Sequence, residues 1–268
     1  MNNLNILLTF TFISLGLAIL FFSMPQIIAP IPYGTFTFLF VFLTCIWVAK
    51  RLGRPRDFAS ESQRYLIKTL KNYFWVMSAF FFFDGIAHVG IPALYPKELL
   101  ASHMHTFSHA FFFAGNVILI RIPISFINER LKNYGSGLMV ILGIIAVVWR
   151  VIYTDKLIYV FGPAQPPIII TDQFSGILFL ITNTIALLIP GLYLIYLGLK
   201  SVEKIVRVRA ILLGLGMMIF FSIGPVIDLL QNQYTQLLIH MLLAISFFFM
   251  GASAFYGKET PVEKNVYP

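Results

Sequence analysis

The chain has 268 residues, of which 59% are hydrophobic and 11% charged, and a formal net charge of +8. Soluble domains run at about 45–50% apolar and about 25% charged residues, so this composition excludes a soluble globular protein and makes lipid the solvent for most of the chain. The basic residues fall almost entirely in the connections between apolar runs, which is the signature of membrane topology rather than of a nucleic-acid surface, and no nucleic-acid partner is expected.

A helix needs about 20 apolar residues to cross about 30 Å of hydrocarbon. Runs of that kind predict a polytopic all-α transmembrane bundle of about eight spans, one integral-membrane domain covering 1–268. The first span, about 6–24, lacks the basic leader region of a cleavable signal peptide and reads as a retained helix. The second, about 34–50, holds Cys45, the sole cysteine. Neither an intramolecular disulfide nor a multi-cysteine metal site is therefore available, and Cys45 is expected to pack.

The next connection carries Lys50, Arg51, Arg54, Arg56, Arg64, Lys68 and Lys71, and its part from Glu61 to Asn72 reads as an anchoring loop or a short basic helix at the headgroups. Spans three and four, about 73–91 and 104–125, are joined by a turn containing Pro92 and Pro96, and span five follows at about 137–153. Gly162-Pro163 and Pro166-Pro167 stiffen the connection from Thr154 to Asp172 and forbid regular helix there, which makes it a candidate cap. Spans six to eight are about 173–199, 210–230 and 235–256, the last two divided by the polar turn from Gln231 to Tyr234.

Strict alternation puts the basic groups after spans two, four and six, together with Lys258 and Lys264, on one side, and leaves only Lys97 and Lys156 opposite. The positive-inside bias then predicts that both termini are cytoplasmic, in a cell or organelle membrane.

Ionisable residues inside or at the edges of spans are costly unless paired or functional. Here they are Asp84, His88, His103, His105, His109, Arg121, Arg150, Asp172, Asp228 and His240. On the expected topology nearly all of them lie toward the extracytoplasmic side, Arg121 excepted. Asp84 and His88 are four apart, as are His105 and His109, so each pair shares a helix face, and Asn116 continues the face of His109. Spans three and four are consecutive and antiparallel, so the two faces can meet. Asp84, His88, His105 and His109 are the expected metal ligands, for Cu, Zn or Fe, all of which accept imidazole. Asp228 and His240 are candidates for further ligands or for the groups that orient a histidine.

Simpler roles are assigned to the rest. His103 is expected in the solvated outer turn, Asp172 has the position of a helix N-cap, and Arg121 is expected to snorkel beside Pro123. Arg150 and Asp228 can form an outer ion pair. The phenylalanine runs 80–83, 111–113 and 247–249 read as lipid-facing surface in preference to a haem, quinone or lipid cavity.

The last two spans contain no lysine for a retinal Schiff base, and the chain has no His-Glu-x-x-His, Walker A or Gly-x-Ser-x-Gly motif. The Asp84-x-x-x-His88 unit, followed by histidines on the next helix, resembles the copper-ligand arrangement in the C subunit of particulate methane and ammonia monooxygenases. The distance from His88 to His103 departs from that family's spacing, and no other stretch aligns. Alkaline ceramidases and adiponectin receptors also place His and Asp zinc ligands in a helical bundle, but Ala244 stands where their last helix carries its second histidine. No family is assigned.

Three functions compete. The first is a membrane-embedded metal or haem site near the extracytoplasmic face, doing redox or metal-assisted chemistry on a membrane-soluble substrate. In its haem b version His109 and His240 are axial ligands, Arg150 pairs a propionate and a quinol is the electron partner. The second is a ligand sensor or a structural subunit of a membrane complex, favoured by the lack of a complete catalytic motif. The third is a proton-coupled transporter using Asp84 and His88.

Overall fold

Inside a bilayer the backbone must satisfy its own hydrogen bonds, and the helix does so within a single segment. The computed structural model describes residues 5–9, 11–13, 15–16, 34–52, 61–91, 98–128, 130–154, 156–158, 168–170, 172–229 and 233–256, and these are helical almost throughout. Helix α1 spans Gly34–Arg51, α2 Glu61–Gly85, α3 Glu98–Leu119, α4 Arg121–Ile127 and α5 Leu131–Ile152. They are followed by α6 Gln173–Asn183, α7 Ile189–Lys200, α8 Lys204–Leu229 and α9 Gln233–Phe255. Two π-helical turns interrupt the pattern: Ile86–Gly90 prolongs α2, and Thr184–Leu188 joins α6 to α7.

Four described helices are long and apolar enough to cross a membrane: Glu98–Ser125, Leu131–Ile152, Gln173–Lys200 and Lys204–Ile223. Met241–Phe255 is a shorter apolar helix. The chain is thus a helical protein with the material of a membrane protein.

Sequence neighbours are also neighbours in space. Helices α1, α2 and α3 pack in order, α3 meets α5, α5 meets α6, α7 meets α8, α8 meets α9, and α9 closes back onto α1. Consecutive antiparallel packing therefore brings the C-terminal end of α2, the N-terminal end of α3, the C-terminal end of α5 and the N-terminal end of α6 to one end of the bundle.

Two expectations are corrected here. Glu61 to Asn72 forms neither a loop nor a separate headgroup helix but the first turns of α2. The reason is an apolar stripe at helical spacing: Leu70 and Tyr73 are buried, and Leu66 and Ile67 pack against the core. His103 lies inside α3 rather than in the preceding turn, on its exposed side, because α3 begins at Glu98. In the connection where regular helix was excluded, Lys156–Ile158 pairs antiparallel with Ile168–Ile170 as a short ribbon, and its first strand lies against α3.

The phenylalanine runs are interior as much as surface. Successive helix positions are about 100° apart, so a run must divide between faces: Phe80 and Phe81 are buried while Phe82 is exposed. Phe81 meets Phe247 edge-on at 4.9 Å, Phe247 meets Phe220 at 5.4 Å, and Phe112 stacks on Phe179 at 5.2 Å. Offset and edge-on aromatic contacts of this kind add about 0.5–1.5 kcal/mol each beyond burial, and they tie α2, α3, α6, α8 and α9 together. Cys45 is fully buried and unbridged, in its expected packing role.

Glycine sets the closest crossing. A Cβ on Gly214 of α8 would stand 2.5 Å from the carbonyl oxygen of Gly191 on α7, so only glycine fits there. Small residues let membrane helices approach this closely. On the other side of α8, Ser246 Oγ donates to the Gly216 carbonyl across 2.9 Å and joins α9 to the same helix.

Candidate metal centre

The site is built where α2 ends and α3 begins. Asp84 stands in the last turn of α2 and His88 inside the π turn that follows, while His105 faces them from the second turn of α3. A π turn shifts the angular position of the residues it contains and is often found at functional sites. It is flanked here by Gly85 and closed by Gly90.

The three side chains converge. His105 Nδ1 lies 2.8 Å from Asp84 Oδ1 and 3.2 Å from His88 Nε2, and His88 Nε2 lies 3.5 Å from Asp84 Oδ1. With Asp84 ionised, the Nδ1 hydrogen of His105 is donated to the carboxylate. Ser108 Oγ has two acceptors in reach, Asp84 Oδ1 at 3.0 Å and the His105 carbonyl at 2.7 Å. All four residues are buried, and buried polar groups persist only when they are paired in this way.

Among the described residues, Asp84, His88 and His105 are the group whose donor atoms gather closely enough to hold a metal ion, all within 4.8 Å of one another. Metal–nitrogen and metal–oxygen bonds of about 2.0–2.1 Å put tetrahedral donors about 3.3 Å apart and octahedral neighbours about 3.0 Å apart. The three edges of 2.8, 3.2 and 3.5 Å bracket both. Two imidazoles and one carboxylate are also a donor set that zinc and non-haem iron share.

His109 lies beside this triangle and outside it. Its ring is 4.4 Å from that of His105, and its Nδ1 hydrogen is donated to the His105 carbonyl at 2.9 Å, which leaves the lone pair on Nε2. Phe80, Phe112, Phe113 and Phe179 surround the ring. Arg150, buried on α5, holds its guanidinium carbon 5.7 Å from the centre of the Phe179 ring, so Phe179 has Arg150 and His109 as neighbours.

The remaining candidates divide. Asp172 is the N-cap of α6: its carboxylate accepts from the backbone N–H groups of Phe174 and Ser175, and also from Trp149 Nε1 at 2.8 Å. The Trp149 bond, then the backbone donors, hold its pKa below the usual carboxylate value. Arg121 donates to Asn133 Oδ1 at 3.4 Å. The side chains of Asp228 and His240, and with them the expected pairings of both residues, lie outside the described residues.

Two participants were not singled out from sequence. Ser108 follows His105 by one helical turn, a spacing that was there to be read. Asn183 accepts from Asn116 Nδ2 at 3.1 Å, a buried bond between α3 and α6 at the edge of the second π turn. An asparagine inside the apolar run 173–199 was its signal.

No protein-family model, curated protein or solved structure matches this chain. The site is a buried two-histidine, one-carboxylate group in a helical bundle.

Proposed function

We propose that this protein is an integral membrane metalloprotein in which Asp84, His88 and His105 bind one zinc or non-haem iron ion. Its remaining coordination positions serve metal-assisted chemistry on a membrane-soluble substrate. The observation that carries this reading is the triangle of donor atoms, whose edges match the spacing that a single ion imposes. Three protein ligands with an open position are the arrangement of catalytic rather than structural sites. A bound ion there acts as a Lewis acid or lowers the pKa of bound water.

Direct ligation is favoured over haem because the described donor atoms that gather are those of Asp84, His88 and His105, whereas the expected haem pair, His109 and His240, includes a side chain outside the described residues. His109, expected as a fourth ligand, keeps a role beside the ion, its ring 4.4 Å from that of His105. In the same reading the chain crosses the membrane about eight times with both termini cytoplasmic. The distribution of Lys and Arg supports this, and the centre then sits near the extracytoplasmic face.

The test is metal analysis of detergent-purified, unstripped protein by inductively coupled plasma mass spectrometry, on wild type and on Asp84→Asn, His88→Ala and His105→Ala. The reading expects near-stoichiometric zinc or iron in wild type and loss from each variant, with unchanged helical circular dichroism. A metal-free wild type that also fails to take up added Zn(II) or Fe(II) would overturn it.

A further inference from the structure

Helices α3, α5 and α6 all belong to segments long and apolar enough to cross a membrane, and each touches the other two. At the end of the bundle that holds the metal centre, each brings a buried polar group to their junction. On α3 and α5 the register follows from one contact: a Cβ on Gly143 of α5 would stand 3.2 Å from Phe113 Cβ of α3. The two helices are antiparallel, so two turns toward the metal centre lead from Phe113 to Thr106 and from Gly143 to Arg150, on the same facing sides. Thr106 and Arg150 therefore stand level. On α6, Ser175 precedes Phe179 by one turn on a shared face, and the Arg150 guanidinium carbon lies 5.7 Å from the centre of the Phe179 ring. Thr106, Arg150 and Ser175 are none of them more than 4% exposed. Among the described residues, neither Thr106 Oγ1 nor Ser175 Oγ has a hydrogen-bond partner, a costly state for a buried hydroxyl.

The junction also has room. Helices α3 and α6 run parallel, joined where Asn116 bonds to Asn183. Two turns back along each, His109 and Gly176 take the corresponding positions, yet a Cβ on Gly176 would meet nothing within 4 Å. Open space therefore lies beside Gly176 on the side of α6 that faces His109, bordered by Phe179, whose ring is 6.0 Å from that of His109.

Resting on the metal-site reading above, we infer that this junction binds the carboxylate of the substrate, and that the substrate is a long-chain carboxylic acid. A guanidinium offers only donors, in a fork that fits a carboxylate, and each hydroxyl has a hydrogen to give. The guest that suits them carries acceptor oxygens and negative charge, and the fork has donors enough to hold it together with another partner. A carboxylate fits better than a phosphate monoester, because Arg150 is the one buried Lys or Arg among the described residues and a dianion would stay half-neutralised away from water. Beyond Gly176 the surface of α6 continues through Leu180, apolar and about half exposed, so the acyl chain remains in lipid while its head enters the junction. His109 borders the space with its ring 4.4 Å from that of His105, which sets the anchored head next to the proposed ion.

The test is scintillation-proximity binding of tritiated palmitate to the full-length, metal-containing protein in nanodiscs. The proposal expects saturable binding that unlabelled palmitate displaces and hexadecanol, the same chain without the charge, does not. Arg150→Gln should weaken it by about 10–100-fold, the worth of a charge-assisted hydrogen bond. Gly176→Leu, which fills the space without touching any charge, should weaken it several-fold at least. Palmitate binding indifferent to both substitutions overturns the proposal, as does equal displacement by hexadecanol or tighter binding of hexadecyl phosphate. Metal content of the same samples separates the two readings. Metal-replete wild type that binds no palmitate sinks only this inference, and protein that neither carries nor takes up Zn(II) or Fe(II) sinks the centre itself.

Discussion

His105 Nδ1 and Asp84 Oδ1 lie 2.8 Å apart although the residues are 21 positions apart in the chain, on two antiparallel helices. The bond holds two of the donor atoms together, an arrangement that suits a shared ion. An ion needs the Nδ1 lone pair of His105, so the proton shared with Asp84 must leave that nitrogen, and at low pH protons compete with the ion for all three donors. Histidine ligands have to be neutral and the carboxylate ionised, so wild-type affinity for Zn(II) should fall as pH is lowered. Equilibrium dialysis at several pH values measures this, and an affinity that does not fall toward acid pH would contradict the assigned ligands.

Ser108 donates to the Asp84 carboxylate, which in the proposed centre makes it a positioning residue. Its removal should weaken metal binding by about 10–100-fold, the usual effect of losing a group that orients a ligand. Competition with a chelator of known affinity, applied to Ser108→Ala, reads this. Ser108→Thr keeps the hydroxyl and should recover most of the loss; equal losses in both variants would point to a packing defect.

Asn116 and Asn183 join α3 to α6 through a buried amide bond of 3.1 Å. Asn116→Leu leaves Asn183 with an unpaired acceptor and should cost about 1–3 kcal/mol. Restoring apolar character on both sides with Asn116→Leu/Asn183→Leu should cost less than the two single changes summed. Coupling between membrane helices is modest, averaging about 0.6 kcal/mol with a maximum near about 1.7. Denaturation of the four proteins in one detergent gives the double-mutant cycle, and additive losses would show that the bond contributes nothing specific.

Asp172 is exposed at the start of α6, where Trp149 and the first backbone N–H groups donate to its carboxylate. Its native pKa is lowered. The stability it supplies is therefore fully present above the ordinary aspartate value of about 3.9 and is lost as pH falls through the depressed native value. Trp149 emission should change over that acid window in wild type. The same change should be absent from Asp172→Asn, and Trp149→Phe identifies which of the chain's three tryptophans reports it.

Gly214→Ala places a methyl group against the Gly191 backbone, and a backbone cannot rotate away as a side chain does. The substitution should lower stability by about 1–3 kcal/mol, the range for overpacking. Gly137→Ala, where a Cβ meets nothing within 4 Å, is the matched control and should be close to neutral. Thermal unfolding of both in detergent makes the comparison.

The sequence by itself determined which stretches are helical. Long apolar runs favour helix in lipid, and the helices Gly34–Arg51, Leu131–Ile152, Gln173–Asn183, Ile189–Lys200 and Gln233–Phe255 fall on such runs. The four-residue spacing of Asp84 and His88 also sufficed to put both on one face, because helix geometry is local. Tertiary structure decided the rest. Spacing ranked His105 and His109 equally as ligands; only the rotation of α3 against α2 turned His105 into the triangle and set His109 against phenylalanine rings and a backbone carbonyl. Helix rotation is hard to read from a membrane sequence because lipid-facing and inward-facing positions are both apolar, so the run Phe80 to Phe83 does not announce that Phe81 is buried and Phe82 exposed. The π turns that present His88 and follow Asn183 left no periodicity of their own in the sequence. Both turns pack against α3, and the second also against α8, contacts that no single segment contains.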